Sequence, residues 1–185
     1  MKKILIFLAM LPLLLNACRT GIPADGGLNE APLPSNPDMT VKIRSFIPFQ
    51  DGAKIATNIK AECIINQQLS HFIRVYGTER DIAVIRSKDI DTASKGRVLS
   101  VEIVDAISQG NPFLGHRKFT EVAGTLYEDG KEVASFTGAR FSGGGFFGAY
   151  KGSCSVLGRT VKALGSDIAL WLANPVDGQH MGDSI

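Results

Sequence analysis

The spacing of apolar residues along the chain predicts one early strand and two long helices. Apolar and polar residues alternate over residues 40–49, as they do in a half-buried strand. Over residues 54–76 and again over residues 153–173 the apolar positions recur every three or four residues, which is the spacing of a helix packed on a core. Gly158 and Gly165 lie two turns apart in the second predicted helix, so we expect it to approach a sheet or the first helix closely.

Four further apolar segments predict the rest of a sheet. Residues 82–85 form a short apolar run that is typical of a buried strand. Residues 97–107, 117–127 and 132–141 alternate like an antiparallel meander, and the Asp129-Gly130 pair before the last of them is a strong hairpin signal. The predicted fold class is therefore α+β, with a mostly antiparallel sheet of four to five strands and two helices packed on one face.

Residues 1–17 have the three-part order of a secretory signal peptide. Two lysines precede an apolar run from Ile4 to Leu15, which Asn16 and Ala17 follow. The apolar run would make about 18 Å of helix, well short of the roughly 30 Å hydrocarbon core of a bilayer. A cleaved signal therefore fits better than a permanent membrane-spanning helix.

The triplet Leu15-Asn16-Ala17 before Cys18 resembles the lipobox of bacterial lipoproteins. That resemblance implies cleavage before Cys18 and acylation of this residue, which would make a lasting anchor in the lipid bilayer. Arg19 stands where lipoproteins retained in the inner membrane of enteric bacteria carry an aspartate, which implies anchoring in the outer membrane. We expect the domain to lie in the periplasm, and exposure at the cell surface is the alternative. The alternative is an ordinary signal peptide that happens to be followed by a cysteine.

The rest of the chain divides into a tether, one domain and a tail. Residues 18–39 comprise Cys18 and a stretch rich in proline and glycine, which predicts a flexible tether of about 25 Å. Residues 40–174 contain the periodic segments and are predicted to form a single α+β domain. Residues 175–185 return to polar and turn-forming residues and are predicted to be a polar tail.

Size and charge exclude other classes of protein. Cleavage before Cys18 leaves 168 of the 185 residues, enough for a self-sufficient core. The chain carries 20 Lys and Arg against 18 Asp and Glu, and two of the lysines lie in the signal segment, so the remaining charges balance. Because nucleic-acid binding draws on uncompensated basic residues, no nucleic-acid partner is expected.

Cys63 and Cys154 are the two cysteines left once Cys18 is acylated. In an oxidising compartment such a pair favours a disulfide. Cys63 does not lie on the apolar stripe of the first predicted helix, so the bond requires the Gly-rich segment before Cys154 to pass over the outside of that helix. The alternative is a pair of buried, inert thiols.

Residues 140–152 alternate glycines with aromatic side chains and are the most unusual stretch of the sequence. The phosphate-binding pattern GxxxxGK followed by Ser or Thr is absent from it. The aromatic residues either pack into the protein's own core or present a surface to a partner or a membrane. The candidate partner-binding residues are Phe141, Phe146, Phe147 and Tyr150.

The sequence gives little support for catalysis. His71, His116 and His180 are scattered, and the patterns HExxH, CxxC and GxSxG do not occur. Glu102 and Asp105 lie on a predicted strand, where such residues usually form the wet face of a meander. We therefore expect no metal, no cofactor and no enzymatic activity.

Three stretches, residues 96–106, 122–149 and 156–172, resemble a family of small bacterial lipoproteins whose shared domain has no assigned function. More loosely, the order of elements is similar to the amino-terminal domain of TolB and to curli-secretion-type lipoproteins, which act in envelope assembly or as scaffolds. This resemblance implies a non-enzymatic envelope accessory or assembly protein that binds a protein partner. The alternative is a periplasmic carrier of a small apolar or lipid ligand held between sheet and helices.

Overall fold

The structure, a computed structural model, describes residue 28 and residues 30–111, 115–143 and 152–184. Within these ranges the chain forms six strands and three helices. In chain order they are β1 (Met39–Arg44), α1 (Thr57–Glu62), α2 (Ile65–Thr78), β2 (Ile82–Ser87), β3 (Arg97–Asn111), β4 (Gly115–Glu128), β5 (Lys131–Gly143), α3 (Ser153–Ala173) and β6 (Gln179–Gly182).

The described strands form one sheet in the order β2-β1-β3-β4-β5-β6. β3, β4 and β5 are the predicted antiparallel meander, and the turn between β4 and β5 has positive φ at Asp129 (50°) and Gly130 (81°). The α+β class is confirmed, but the sheet is mixed and has six strands, not the mostly antiparallel four to five of the prediction. β2 is parallel to β1 because α1 and α2 form the crossover between them, and β6 is parallel to β5 after the crossover through α3. β3 follows β2 through a non-helical loop over residues 88–96 and is also parallel to β1.

Both long helices pack on the same face of the sheet, as predicted. α2 contacts β2 at one end of the sheet, and α3 contacts β4, β5 and β6 toward the other. Every second residue of the central strands points into this layer and is buried, as Val41 and Ile43 of β1 show. Fully buried side chains from α2, α3 and the sheet fill the space between them, among them Leu69, Ile73, Leu99, Ile103, Leu164 and Ile168.

The first predicted helix is interrupted, which corrects the continuous helix expected over residues 54–76. Cys63 lies between α1 and α2 with extended backbone angles (φ −100°, ψ 119°). It forms the predicted disulfide with Cys154 across a Cα–Cα distance of 5.0 Å. Cys63 is thus outside both helices, so its side chain is not restricted to one helical face. The expected path of the Gly-rich segment over the first helix concerns residues 144–151, which lie outside the described residues.

α3 approaches α2 closely at Gly165, as the spacing of glycines predicted. A Cβ atom built on Gly165 would lie 2.5 Å from the Cβ of Phe72 and 3.0 Å from its backbone carbon. Real side chains do not tolerate such distances, so the two helices can touch here only because residue 165 has no side chain.

β6 extends the sheet into residues 175–185, the segment predicted to be a polar tail. Its register places Gln179 beside Phe136 and Met181 beside Gly138 of β5. Met181 is only 6% exposed and joins the core. None of the helices in the described ranges is long and apolar enough to cross a membrane.

Candidate functional site

The residues singled out from the sequence do not converge on one site. Cys18 and the aromatic residues Phe146, Phe147 and Tyr150 lie outside the described residues. Phe141 is described, is 41% exposed and stacks on Phe119 of β4 with ring centroids 4.6 Å apart. The disulfide cysteines lie at the starts of α2 and α3, where they join the two helices.

The histidines are likewise separate. His71 lies on α2 against Phe72, and its buried Nδ1 makes no hydrogen bond within the described part of the chain. Burial lowers the pKa of His71, and the positive charge of Arg86 lowers it further. His180 on β6 hydrogen-bonds Thr137 Oγ1 through Nδ1 at 2.9 Å. The side chain of His116 lies outside the described residues.

A polar groove of about 590 Å³ lies beside the bulge of β3 at Ile103 and Asp105. Asp105 and Glu121 are partners in the register of β3 and β4, and both line the groove together with Lys54. The two carboxylates come from the predicted wet face of the meander, which the structure brings next to α1. Within the described residues no three His, Cys, Asp or Glu side chains are grouped as metal ligands would be.

A second groove, of about 470 Å³, runs between the carboxyl end of α3 and the edge strand β6. We call it the α3–β6 groove. Leu170 (62% exposed) and Val176 (51% exposed) both line it and are two of the six exposed large apolar side chains of the described residues. Trp171 and Met181 also line it but are nearly buried, so two exposed apolar side chains stand beside an apolar base.

Polar contacts hold β6 and α3 in place around this groove. Arg140 of β5 donates two hydrogen bonds to Asp167 of α3, from Nε at 2.8 Å and Nη2 at 2.9 Å, and a third to Asp183 at 3.3 Å. The hydrogen bonds and charge of Asp167 raise the pKa of Arg140. Asp183 also accepts a hydrogen bond from the backbone N–H of Phe141 at 2.7 Å. These bonds join β5 to α3 and to the residue after β6 beside the groove.

A second polar cluster lies at the opposite edge of the sheet, where residues 30–32 dock on α2. The carboxylate of Glu30 pairs with Arg74 of α2 at 2.8 Å and with Arg86 of β2 at 2.6 Å. Thr78 Oγ1 donates to the carbonyl of Pro32 at 2.8 Å. The end of the predicted tether is thus packed on the domain, a contact that its composition did not indicate.

Lys118 is buried on the helix-covered face of β4. Its side chain donates from Nζ to Ser108 Oγ at 2.5 Å, and burial lowers the pKa of its amine. Next to it in the layer, Thr120 of β4 and Thr160 of α3 share a hydrogen bond of 2.7 Å. The Thr120–Thr160 bond fastens α3 to the sheet, and the Lys118–Ser108 bond links β4 to β3.

These features define the class of the protein: an α+β domain with a mixed sheet, helices on one face and a partly apolar groove at one edge. The crystal structure of XCC0632 from Xanthomonas campestris, a DUF330 protein, is similar to it with a TM-score of 0.53 and 14% identity over 77% of this chain and 89% of that chain. At this identity the comparison shows a shared fold, in agreement with the predicted resemblance to a family whose domain has no assigned function.

Two further solved structures are similar to parts of the chain. A minor lipoprotein from Acinetobacter baumannii has a TM-score of 0.40 and 10% identity over 73% of this chain and 92% of that one. PelC from Paraburkholderia phytofirmans, crystallised as a dodecamer, has a TM-score of 0.43 and 16% identity over 74% and 90%. No family model matches the sequence, and no curated protein matches it.

The sequence analysis did not predict the α3–β6 groove, and it did not predict that Arg74 and Arg86 pair with Glu30. The groove depends on β6, which has only four residues and lies among turn-forming residues. Leu170 was the one visible signal, because it is apolar but lies off the buried stripe of α3.

Proposed function

We propose that this protein is a non-enzymatic accessory or assembly component of the bacterial envelope that binds a protein partner through the α3–β6 groove. Acylated Cys18 would anchor it in the outer membrane, with the domain in the periplasm. The lipobox resemblance supports the anchor, and the exposed pair Leu170 and Val176 supports the binding role.

The observation that carries the binding role is the position of this pair beside an edge strand. The outer edge of β6 pairs with no strand in the described part of the chain. An extended segment of a partner could add to β6 through main-chain hydrogen bonds and place an apolar side chain between Leu170 and Val176. The main-chain hydrogen bonds would supply affinity for the partner, and the apolar groove would supply selectivity.

The alternative, a carrier of a lipid or small apolar ligand, has less support. Such a ligand was expected between sheet and helices, but that space is filled by side chains such as Leu99, Leu164 and Ile168, each 0% exposed. The α3–β6 groove is open to solvent and suits a segment of a partner better than an enclosed lipid chain.

The test is site-specific photo-cross-linking in intact envelopes. A photoreactive residue at Leu170 should capture one dominant species, and the Val176→Asp substitution in the same chain should abolish that capture. The matched control is a probe at Val133, which is also exposed (46%) but lies on β5 outside the groove.

Identical capture from Leu170 and Val133, or capture that survives Val176→Asp, would contradict the proposal. A lipid seen by native mass spectrometry on the purified protein would favour the carrier instead. The anchor has its own test, because Cys18→Ala should move the protein from the membrane fraction to the soluble fraction of the envelope.

A further inference from the structure

Two arginine side chains, from α2 and from the edge strand β2, pair with a single carboxylate. Arg86 Nη1 lies 2.6 Å from Glu30 Oε1, and Arg74 Nη1 lies 2.8 Å from Glu30 Oε2. Each carboxylate oxygen therefore has its own guanidinium group. Charge-assisted pairs of this kind are the usual way in which proteins recognise carboxylate and phosphate oxygens.

The folded domain holds both arginines in position. The Arg86 side chain is 4% exposed, and its remaining donors bind Ser70 Oγ at 3.0 Å and the carbonyl of Ser45 at 3.4 Å. The Arg74 side chain is 13% exposed, and its Nη1 also reaches the carbonyl of Val84 at 3.5 Å. These contacts with α2, β2 and the residue after β1 do not involve Glu30, and Arg86 has more of them than Arg74.

The occupant, in contrast, comes from the segment before the domain. The Glu30 side chain is 54% exposed, so the clamped carboxylate is open to solvent. Within the described residues two hydrogen bonds hold its neighbours, from Arg74 Nε to the carbonyl of Ala31 at 2.7 Å and from Thr78 Oγ1 to the carbonyl of Pro32 at 2.8 Å. Such a segment can leave the site without disturbing the core.

The charges of the cluster favour an anion with more than one negative charge. Two guanidinium groups face one carboxylate, and burial and the charge of Arg86 lower the pKa of the adjacent His71. One positive charge is thus left without a counter-charge in the cluster itself. A phosphate group would supply both the oxygens and the extra charge.

We propose that Arg74 and Arg86 form a binding site for a phosphate-type anion, which Glu30 occupies in this structure as an intramolecular substitute. The site lies at the opposite edge of the sheet from the α3–β6 groove. The proposal of an anion site is therefore independent of the proposed function. Release of residues 30–32 would open it, and binding of the anion would hold them off.

The test is a titration of the full-length protein, in a non-ionic detergent, with inorganic phosphate. Binding is measured from the NMR signals of the arginine Nε–H groups. An attached competitor acts at an effective concentration in the millimolar range, so its removal matters. Glu30→Gln should therefore lower the apparent Kd for phosphate at least tenfold. Glu132→Gln, which removes an exposed charge on β5, should leave the Kd unchanged.

Two further variants separate binding from folding. Arg74→Lys in the Glu30→Gln background keeps the charge and removes the planar guanidinium, so phosphate affinity should fall while the circular dichroism spectrum stays unchanged. Equal affinities for Glu30→Gln and Glu132→Gln, or no loss in the Arg74→Lys variant, would overturn the site.

The source of the phosphate group is settled by competition. Short-chain phosphatidylglycerol that displaces inorganic phosphate at lower concentration would identify a lipid headgroup as the ligand. Displacement only at higher concentration would identify a free phosphate compound. Binding of neither probe to the Glu30→Gln variant would refute the proposal.

Discussion

The two edge strands of the sheet, β2 and β6, differ in the residues that lie beside them. Beside β2, residues 30–32 dock on α2, and the nearly buried Arg86 pairs with Glu30. Beside β6, two apolar side chains, Leu170 and Val176, stay exposed at an edge to which no described strand is added. Proteins usually cover or charge their edge strands to prevent unwanted pairing.

The difference teaches where this fold can accept a partner. At the β2 edge Glu30 must first leave Arg74 and Arg86, so binding at these arginines competes with an internal contact. The α3–β6 groove needs no such release, so the main remaining cost of binding there is the ordering of the partner. We therefore assign protein binding to the β6 edge and a displaceable ligand to the β2 edge.

The disulfide should have the largest effect on both edges, because it ties the start of α2 to the start of α3. The double variant Cys63→Ser and Cys154→Ser should lose about 4 kcal/mol of unfolding free energy, since the bond closes a sequence separation of 91 residues. Urea unfolding of the oxidised wild type and the variant measures this loss. An unchanged midpoint and slope would show that the helix pair is held without the bond.

Overpacking between α2 and α3 should come next. Gly165→Val places side-chain atoms where Phe72 already lies, and we expect a loss of about 3 kcal/mol. Gly158→Ala is the matched control. Its new methyl group would meet only the movable end of Gln68, at 3.2 Å, so it should be neutral or slightly stabilising.

Hydrogen exchange would then show whether the two edges share this helix layer. In Gly165→Val both β2 and β6 should exchange faster than in the wild type, because α2 packs near one edge and α3 near the other. Acceleration at one edge alone would mean that the two halves of the sheet open independently.

Local sequence patterns could predict those elements whose structure depends mainly on residues within the element itself. The helix over residues 153–173 has its predicted bounds, since its apolar stripe is complete. The hairpin at Asp129 and Gly130 is equally local, because its turn requires positive φ at both residues.

The remaining features depend on contacts between distant parts of the chain. The predicted helix breaks at Cys63, which forms a disulfide with a residue 91 positions away. The periodicity of residues 54–76 could not show this break. β6 has four residues, mostly polar, and becomes a strand only beside β5. Glu30 meets Arg86 across 56 positions, and no composition rule for a tether predicts that pairing.

A matched pair of arginines compares the two edges directly. Arg86→Ala should lower the unfolding free energy by about 2 kcal/mol, because its side chain is 4% exposed and bonds two groups of the domain besides Glu30. Arg140→Ala should cost about 1 kcal/mol, because Arg140 is 31% exposed and water screens its pairs with Asp167 and Asp183. Equal losses in urea unfolding would remove the energetic distinction between the edges.

The smallest expected effect concerns the acid response of the β6 edge. Asp177, in the turn between α3 and β6, accepts hydrogen bonds from Ser135 Oγ and from the Ser135 backbone N–H, each at 2.8 Å. These bonds lower the pKa of Asp177 below its ordinary value of 3.8. The contribution of the charged carboxylate is therefore fully present above that value and is lost as the pH falls through the lowered pKa.

The protection factor of the Ser135 amide compares its exchange rate with that of an unfolded chain at the same pH. Followed by NMR as the pH is lowered from 5, this protection should decrease in that window in the wild type. Asp177→Asn keeps the acceptor oxygen without the charge, so this loss of protection should be smaller. The control Asp51→Asn changes an exposed acid far from β6 in the sequence and should leave the wild-type response intact. A response that persists in Asp177→Asn would mean that acid acts on β6 through another group, and that the turn into β6 does not stabilise this edge.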